Sequence, residues 1–159
     1  MTQKGLSNAL KAIAITMGFC GLLIYIYIVP TVLNGYIDEG QMAQKNMLPL
    51  LIPICITSIP VFIALVFGYK IANEIGKDNS FSEKNSTLLK NISYLSMIDT
   101  IIVAILSIAS FILKLCPGIL IMFFILVVVA GIVIFIITAT LSHLVLKAAI
   151  MKQEQDLTI

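Results

Sequence analysis

The sequence contains no arginine; all ten of its basic residues are lysines. Arginine supplies the planar, bidentate contacts that grip phosphates and base edges, so a formal charge of +2 carried on lysine alone argues against direct nucleic-acid binding. Histidine is nearly missing too, with His143 standing alone, and Cys20, Cys55 and Cys116 form no C-x-x-C pair. That inventory builds neither a zinc site nor a thioredoxin-like pair, and it gives no disulfide framework. Gly76 and Lys77 lack the upstream glycine and following hydroxyl of a phosphate loop, so nucleotide binding there is discarded. No nucleophile, base and orienting residue fall at a recognisable spacing. The expectation is a chain that is not an enzyme and carries no metal and no cofactor. Charge of either sign is scarce, at 11% of residues against the roughly 25% of an average soluble domain.

What is present is apolar residue, 60% of the 159, gathered into four long runs. At about 20 residues per crossing, these give spans over 12–33, 47–69, 91–113 and 119–146 of a single membrane domain. The predicted fold class is therefore all-α, an integral membrane bundle of four transmembrane helices whose first partner is the lipid bilayer. The first run, at 22 residues, is longer than the ~7–15 of a signal-peptide core, and it is expected to be retained. Its Ala14, Gly18 and Gly21 share a face on which a neighbouring helix can approach closely. Gly35 and Gly40 suggest turns in the loop that follows. The second span holds Pro53 and Pro60, and Pro60 leaves the Ile56 carbonyl without its helical donor. Gly131, Thr138 and Ser142 mark a packing seam on the fourth.

Between the second and third spans lies the one long polar run, Lys70 to Lys90. Gly76 is expected to cap the incoming helix, with a turn over 77–79. Ser80-Phe81-Ser82-Glu83 has the form of a capping box that starts the outgoing one. The last stretch, 147–159, reads as a short charged tail.

The third span is the most informative. At about 100° per residue, Ser93, Ser96, Asp99, Thr100, Ser107 and Ser110 fall on one arc, and Met97, Ile98, Ile101, Ile105, Ile108 and Ile112 on the other. In lipid the polar arc faces the bundle or a water-filled cavity. Asp99 is the one ionisable side chain deep in a span. Ser96, Thr57, Ser58 and Thr138 are placed near its level, as a candidate proton or cation site or as hydroxyl partners of a carboxyl that fixes helix register. His143, nearer the end of its helix, is a weaker candidate for pH sensing or for capping a carbonyl.

Ile75-Gly76-Lys77 with Phe81-Ser82, Asn85, Leu88 and Ile92, and the ending Leu141-Ser142-His143-Leu144 through Lys147-Ala148 to Asp156-Leu157-Thr158-Ile159, resemble a bacterial family of four-span membrane proteins, domain of unknown function 2975. The resemblance covers nearly the whole chain. It implies a protein of the bacterial cell membrane and, as a partner, a small helix-turn-helix regulator; it brings no activity.

Three functions are open at this point. The first is a regulatory or sensory membrane protein that docks a cytoplasmic partner on its hairpin and tail, through Phe81, Glu83, Leu88, Leu157 and Ile159. The second is a small transporter or channel using Asp99, and the third an immunity protein against a membrane-active peptide. Eight lysines (4, 11, 70, 77, 84, 90, 147 and 152) fall on the side of the hairpin and both termini, and only Lys45 and Lys114 on the other. The positive-inside rule then puts the hairpin and both termini in the cytoplasm. In intact cells a cysteine placed at Asn79 should resist an impermeant thiol reagent while one placed at Gln41 reacts; the reverse labelling would invert the topology.

Overall fold

Apolar stretches with no water to bond their backbone must satisfy it internally, and the helix does so within one segment. The computed structural model describes residues 3–77 and 79–157. Helix α1 (Gln3–Leu23) passes through one widened π-helical stretch, Ile24–Ile28, into α2 (Val29–Asp38). A short 3-10 turn, Gln44–Asn46, leads into α3 (Met47–Gly76), followed by α4 (Glu83–Ile112) and α5 (Gly118–Leu157). Four helices are long and apolar enough to cross a membrane, α1 and α2 forming one continuous crossing of 36 residues. Even α4, at 30 residues, measures about 45 Å at 1.5 Å per residue, more than the ~30 Å hydrocarbon core.

The helices extend well past the apolar runs. Of the polar run 70–90, all but 77–82 is helix, and the charged stretch from 147 continues α5 as far as Leu157. Gly76 is the last residue of α3, and Lys77 occupies the cap position instead. What Gly76 provides is closeness: a Cβ there would sit 2.6 Å from Ser7 Oγ. The start of α4 is also displaced from the expected Ser80–Glu83 box. Ser82 is the N-cap and accepts from Asn85 N at 3.2 Å. An amide three residues on explains that choice, because Asn85 Nδ2 donates to the carbonyls of both Asn79 and Ser80 at 3.0 Å, which a Glu carboxylate has no proton to do. Gly35 lies inside α2, and the turn belongs to Gly40, at φ +72°, a region where glycine carries no Cβ penalty.

The close packings are α1 on α3, α3 on α4 and α4 on α5. Among the described residues α1 and α5 are not closely packed against each other, so the helices form a folded row with one loose seam. Along that row the small residues sit where sequence spacing put them. A Cβ on Gly21 would meet the Phe62 ring at 3.4 Å, and one on Gly131 would collide with Thr100. On α4, Ser107 and Ser110 are 7% and 0% exposed while Ile105, Ile108 and Ile112 are 62%, 61% and 68% exposed, so the polar arc does face inward. Pro53 and Pro60 leave α3 continuous. Thr57 and Ser58 donate to the carbonyls of Ile54 and Cys55, both at 2.6 Å, rather than to Ile56.

Three tiers follow along the bundle. At the end away from the 77–82 turn, Leu33, Met42, Leu50, Val103, Leu106 and Phe124 form the buried apolar core, and Asn46 Nδ2 ties the first loop to the Leu115 carbonyl at 3.0 Å. Asp99 occupies the middle tier. The turn end is held by polar contacts. Replacing Gly131 with Leu should overpack the α4–α5 seam and destabilise by about 1–3 kcal/mol. Gly68→Ala, with nothing within 4 Å of its Cβ, should raise the detergent thermal melt slightly, by the ~0.4–1 kcal/mol gained on replacing a helical glycine.

Candidate functional site

Two places bring chemically distinctive side chains together. The first is the turn end, where the backbone and side chains of all four long helices are cross-linked by hydrogen bonds. Ser7 Oγ donates to the Ala72 carbonyl at 2.7 Å, and Lys11 Nζ to Asn73 Oδ1 at 2.8 Å, joining α1 to α3. Glu74 is the hub of the turn. Its side chain, 10% exposed, pairs with Lys84 at 2.8 Å and Lys77 at 3.7 Å and accepts from Asn79 Nδ2 at 3.3 Å. On the other side of the turn Ser86 and Ser142 exchange hydrogen bonds, each hydroxyl donating to the other's carbonyl at 2.9 Å, which joins α4 to α5.

Beside this network a cleft of about 370 Å³ opens between the turn and α5. Asn79, Phe81, Ser82, Glu83 and Lys84 line one side, and Ala149, Lys152 and Gln153 the other. Phe81, 56% exposed, stands on it with no apolar cover. Of the residues expected to dock a partner, Phe81 and Glu83 therefore share a surface with α5, while Leu88 is half-buried along α4 and lines no part of the cleft. Leu157 is the last residue of α5, and Ile159 lies outside the described residues.

The second place is Asp99. Its cleft of about 350 Å³ has walls from every long helix: Met17 of α1, Pro60, Val61, Ala64 and Leu65 of α3, Ser96 of α4 and Ala130, Gly131 and Ile134 of α5 among them. Asp99 Oδ1 is out of reach of solvent and has no hydrogen-bond partner among the described residues. The expected hydroxyl partners are all occupied elsewhere. Ser96 Oγ donates across to the Gly131 carbonyl at 3.1 Å, and Thr100 Oγ1 back to the Ser96 carbonyl at 2.7 Å. Thr138 bonds its own helix at Ile134, and Thr57 accepts from Tyr25 while donating to Ile54. Only Ser96 of the four candidates lines the Asp99 cleft, and Ser58 bonds Cys55. His143 is exposed on α5, lines neither cleft and makes no hydrogen bond among the described residues.

The family model described as protein of unknown function (DUF2975) matches residues 35–159. The chain belongs to that family. A protein of Bacillus subtilis (strain 168), described as uncharacterized membrane protein YoaS, is 28% identical over 153 residues, which cover 94% of this chain and 95% of the relative. No solved structure matches. The DUF2975 match begins after α1 and the π-helical stretch, so it takes in both halves of the turn-end cleft and all of the Asp99 cleft except Met17. Family membership and four apolar helices make this a membrane protein, and they assign it no reaction.

Sequence reasoning passes over Glu74, Ser7 and Ser86, and takes Asn85 only as part of the family motif, not as a structural residue of the turn. Asn85 was legible, since it lies three residues after Ser82, the spacing of a cap; the others depend on pairings between helices that no local pattern encodes. Glu74 also has an electrostatic signature. Hydrogen bonds from Lys84 and Asn79 hold its carboxyl below the usual carboxylate range against the opposing effect of burial. An acid depressed in the folded state stabilises fully above its unfolded pKa, ~4.3, and less as pH falls through the lower folded value. The thermal midpoint of the protein should thus drop on acidification below about pH 4.3, and Glu74→Gln should flatten that acid limb. An identical limb in the variant would remove Glu74 from this role.

Proposed function

We propose that this protein is a non-enzymatic regulatory or sensory partner of the bacterial cell membrane, with both termini and the 77–82 turn in the cytoplasm, where they dock a soluble protein. One observation carries the reading: the turn and the far end of α5, distant in sequence, line a common cleft with Phe81 exposed on it. At six residues the 77–82 turn is no longer than a connection requires; what exceeds that need is its bonding. The turn is held by Glu74, Asn79, Lys84 and Asn85 in a single arrangement, and rigid presentation of an aromatic anchor is what protein recognition favours. The lysine distribution supports the orientation. The helix-turn-helix regulator implied by the family resemblance is the partner to try first.

The test uses the full chain in its own membrane. A photo-crosslinking side chain at Phe81 should capture that regulator, and Phe81→Ser or Gln153→Trp should reduce its recovery about tenfold, the effect of losing ~1.4 kcal/mol, without altering membrane insertion. Equal recovery from wild type and both variants would overturn the docking surface.

A further inference from the structure

The Asp99 cleft asks for a particular kind of ligand. Its lining is apolar except for Ser96 and Asp99. The Ser96 hydroxyl proton is already given to Gly131. What remains is one carboxyl lining an otherwise hydrocarbon cleft, its Oδ1 unpartnered among the described residues and itself out of reach of water. Leaving a buried polar group unmade costs its full desolvation, ~1–3 kcal/mol and more for a charged group, so the site is incomplete as the chain alone forms it.

Several ligand classes fail on that lining. A hard metal ion takes about six to eight oxygens, and among the described residues no three His, Cys, Asp or Glu side chains come together. A sugar or nucleotide would bring many hydroxyls or phosphates and find one acceptor. A lipid acyl chain would fill the volume but leave the carboxyl as it is. A molecule with a large apolar body and one positive charge meets both halves of the lining. The volume of about 350 Å³ falls within the ~300–1,000 Å³ of small-molecule sites. On the α1 side the wall is Met17 alone, a flexible thioether that repacks around guests of different shape.

We propose that this cleft binds a lipophilic organic monocation, a quaternary ammonium or phosphonium ion or a protonated hydrophobic amine, with its charge against Asp99 and its body against α3 and α5. The site is separate from the turn-end cleft, and the two readings stand or fall independently.

The probe is tetraphenylphosphonium, measured by equilibrium binding to the purified full-length protein in phosphatidylcholine nanodiscs, with empty nanodiscs as the background. Binding should be saturable and one per chain. Tetraphenylborate, the same shape with opposite charge, titrated separately because the two ions pair with each other, should show no saturable binding. Asp99→Asn keeps the side-chain volume and should lower affinity about tenfold or more, the effect of ~1.4 kcal/mol or more of lost attraction. Ala130→Phe fills the cleft from the α5 wall without touching the carboxyl and should lower it similarly. Phe81→Ser should leave it unchanged. Thermal melts establish that each variant is folded; if Asp99→Asn is not, the phosphonium and borate comparison on the wild type with Ala130→Phe decides. Absence of saturable phosphonium binding, equal saturable binding of tetraphenylborate, or unchanged affinity in folded Asp99→Asn would each overturn the proposal, the first assigning the cleft to acyl chains.

Discussion

Hydrogen bonds from serine hydroxyls to the carbonyls of a neighbouring helix hold this bundle in register. Lipid is as apolar as leucine, so burying apolar surface between helices gains little there, and association rests on close packing and interhelical polar contacts. Ser7 to Ala72, Ser96 to Gly131 and the Ser86–Ser142 exchange distribute such contacts over the α1–α3 and α4–α5 seams. Each is worth only ~0.6 kcal/mol on average in membranes. Their value lies as much in position, because each requires the two backbones to be within reach, and the small residues beside them allow that approach. Gly76 lies against Ser7, and Gly131 against Thr100.

The same economy explains the tiers. At the end away from the turn, interdigitating Leu, Met, Val and Phe need no polar partners. At the turn end, where the helices leave the hydrocarbon, Glu74, Lys84 and Asn79 bond one another, and Asn85 Nδ2 serves the turn carbonyls while its Oδ1 has no partner among the described residues. The middle tier differs in the kind of group left without a partner, which here is an ionisable one. An aspartate sits among apolar walls without the bond that a purely structural acid would have acquired, and a departure from local consistency of that kind is the usual mark of a functional position.

Much of the architecture was legible because helical periodicity survives in lipid. Serines and isoleucines sorted to opposite arcs of α4, and Gly18, Gly21, Gly131 and Ser142 announced their seams by size alone. The hydroxyl partners of Asp99 were misjudged for a specific reason. Ser and Thr in helices can bond back to carbonyls three or four residues earlier; Thr57, Thr100 and Thr138 all do so, and matched depth says nothing about that competition. The Ser80–Glu83 capping-box pattern points to a cap two residues early, because it registers the acid and not the Asn85 amide that supplies protons to the turn carbonyls. The Glu74 hub was hidden in a run that composition describes only as polar.

The folded row has a consequence for how the protein is made. α1 is synthesised before α3, its closely packed neighbour among the described residues, which follows only after α2 and the first loop. Until then α1 must persist in the bilayer as a solitary helix, which the apolar run from residue 12 onward permits. Later segments close around α4, which touches both α3 and α5, so the last three helices contain two of the three seams and the buried core apart from Leu33 and Met42. Assembly thus divides into a three-helix unit and a helix that is added to its side, and the boundary between them falls close to residue 35, where the family match begins.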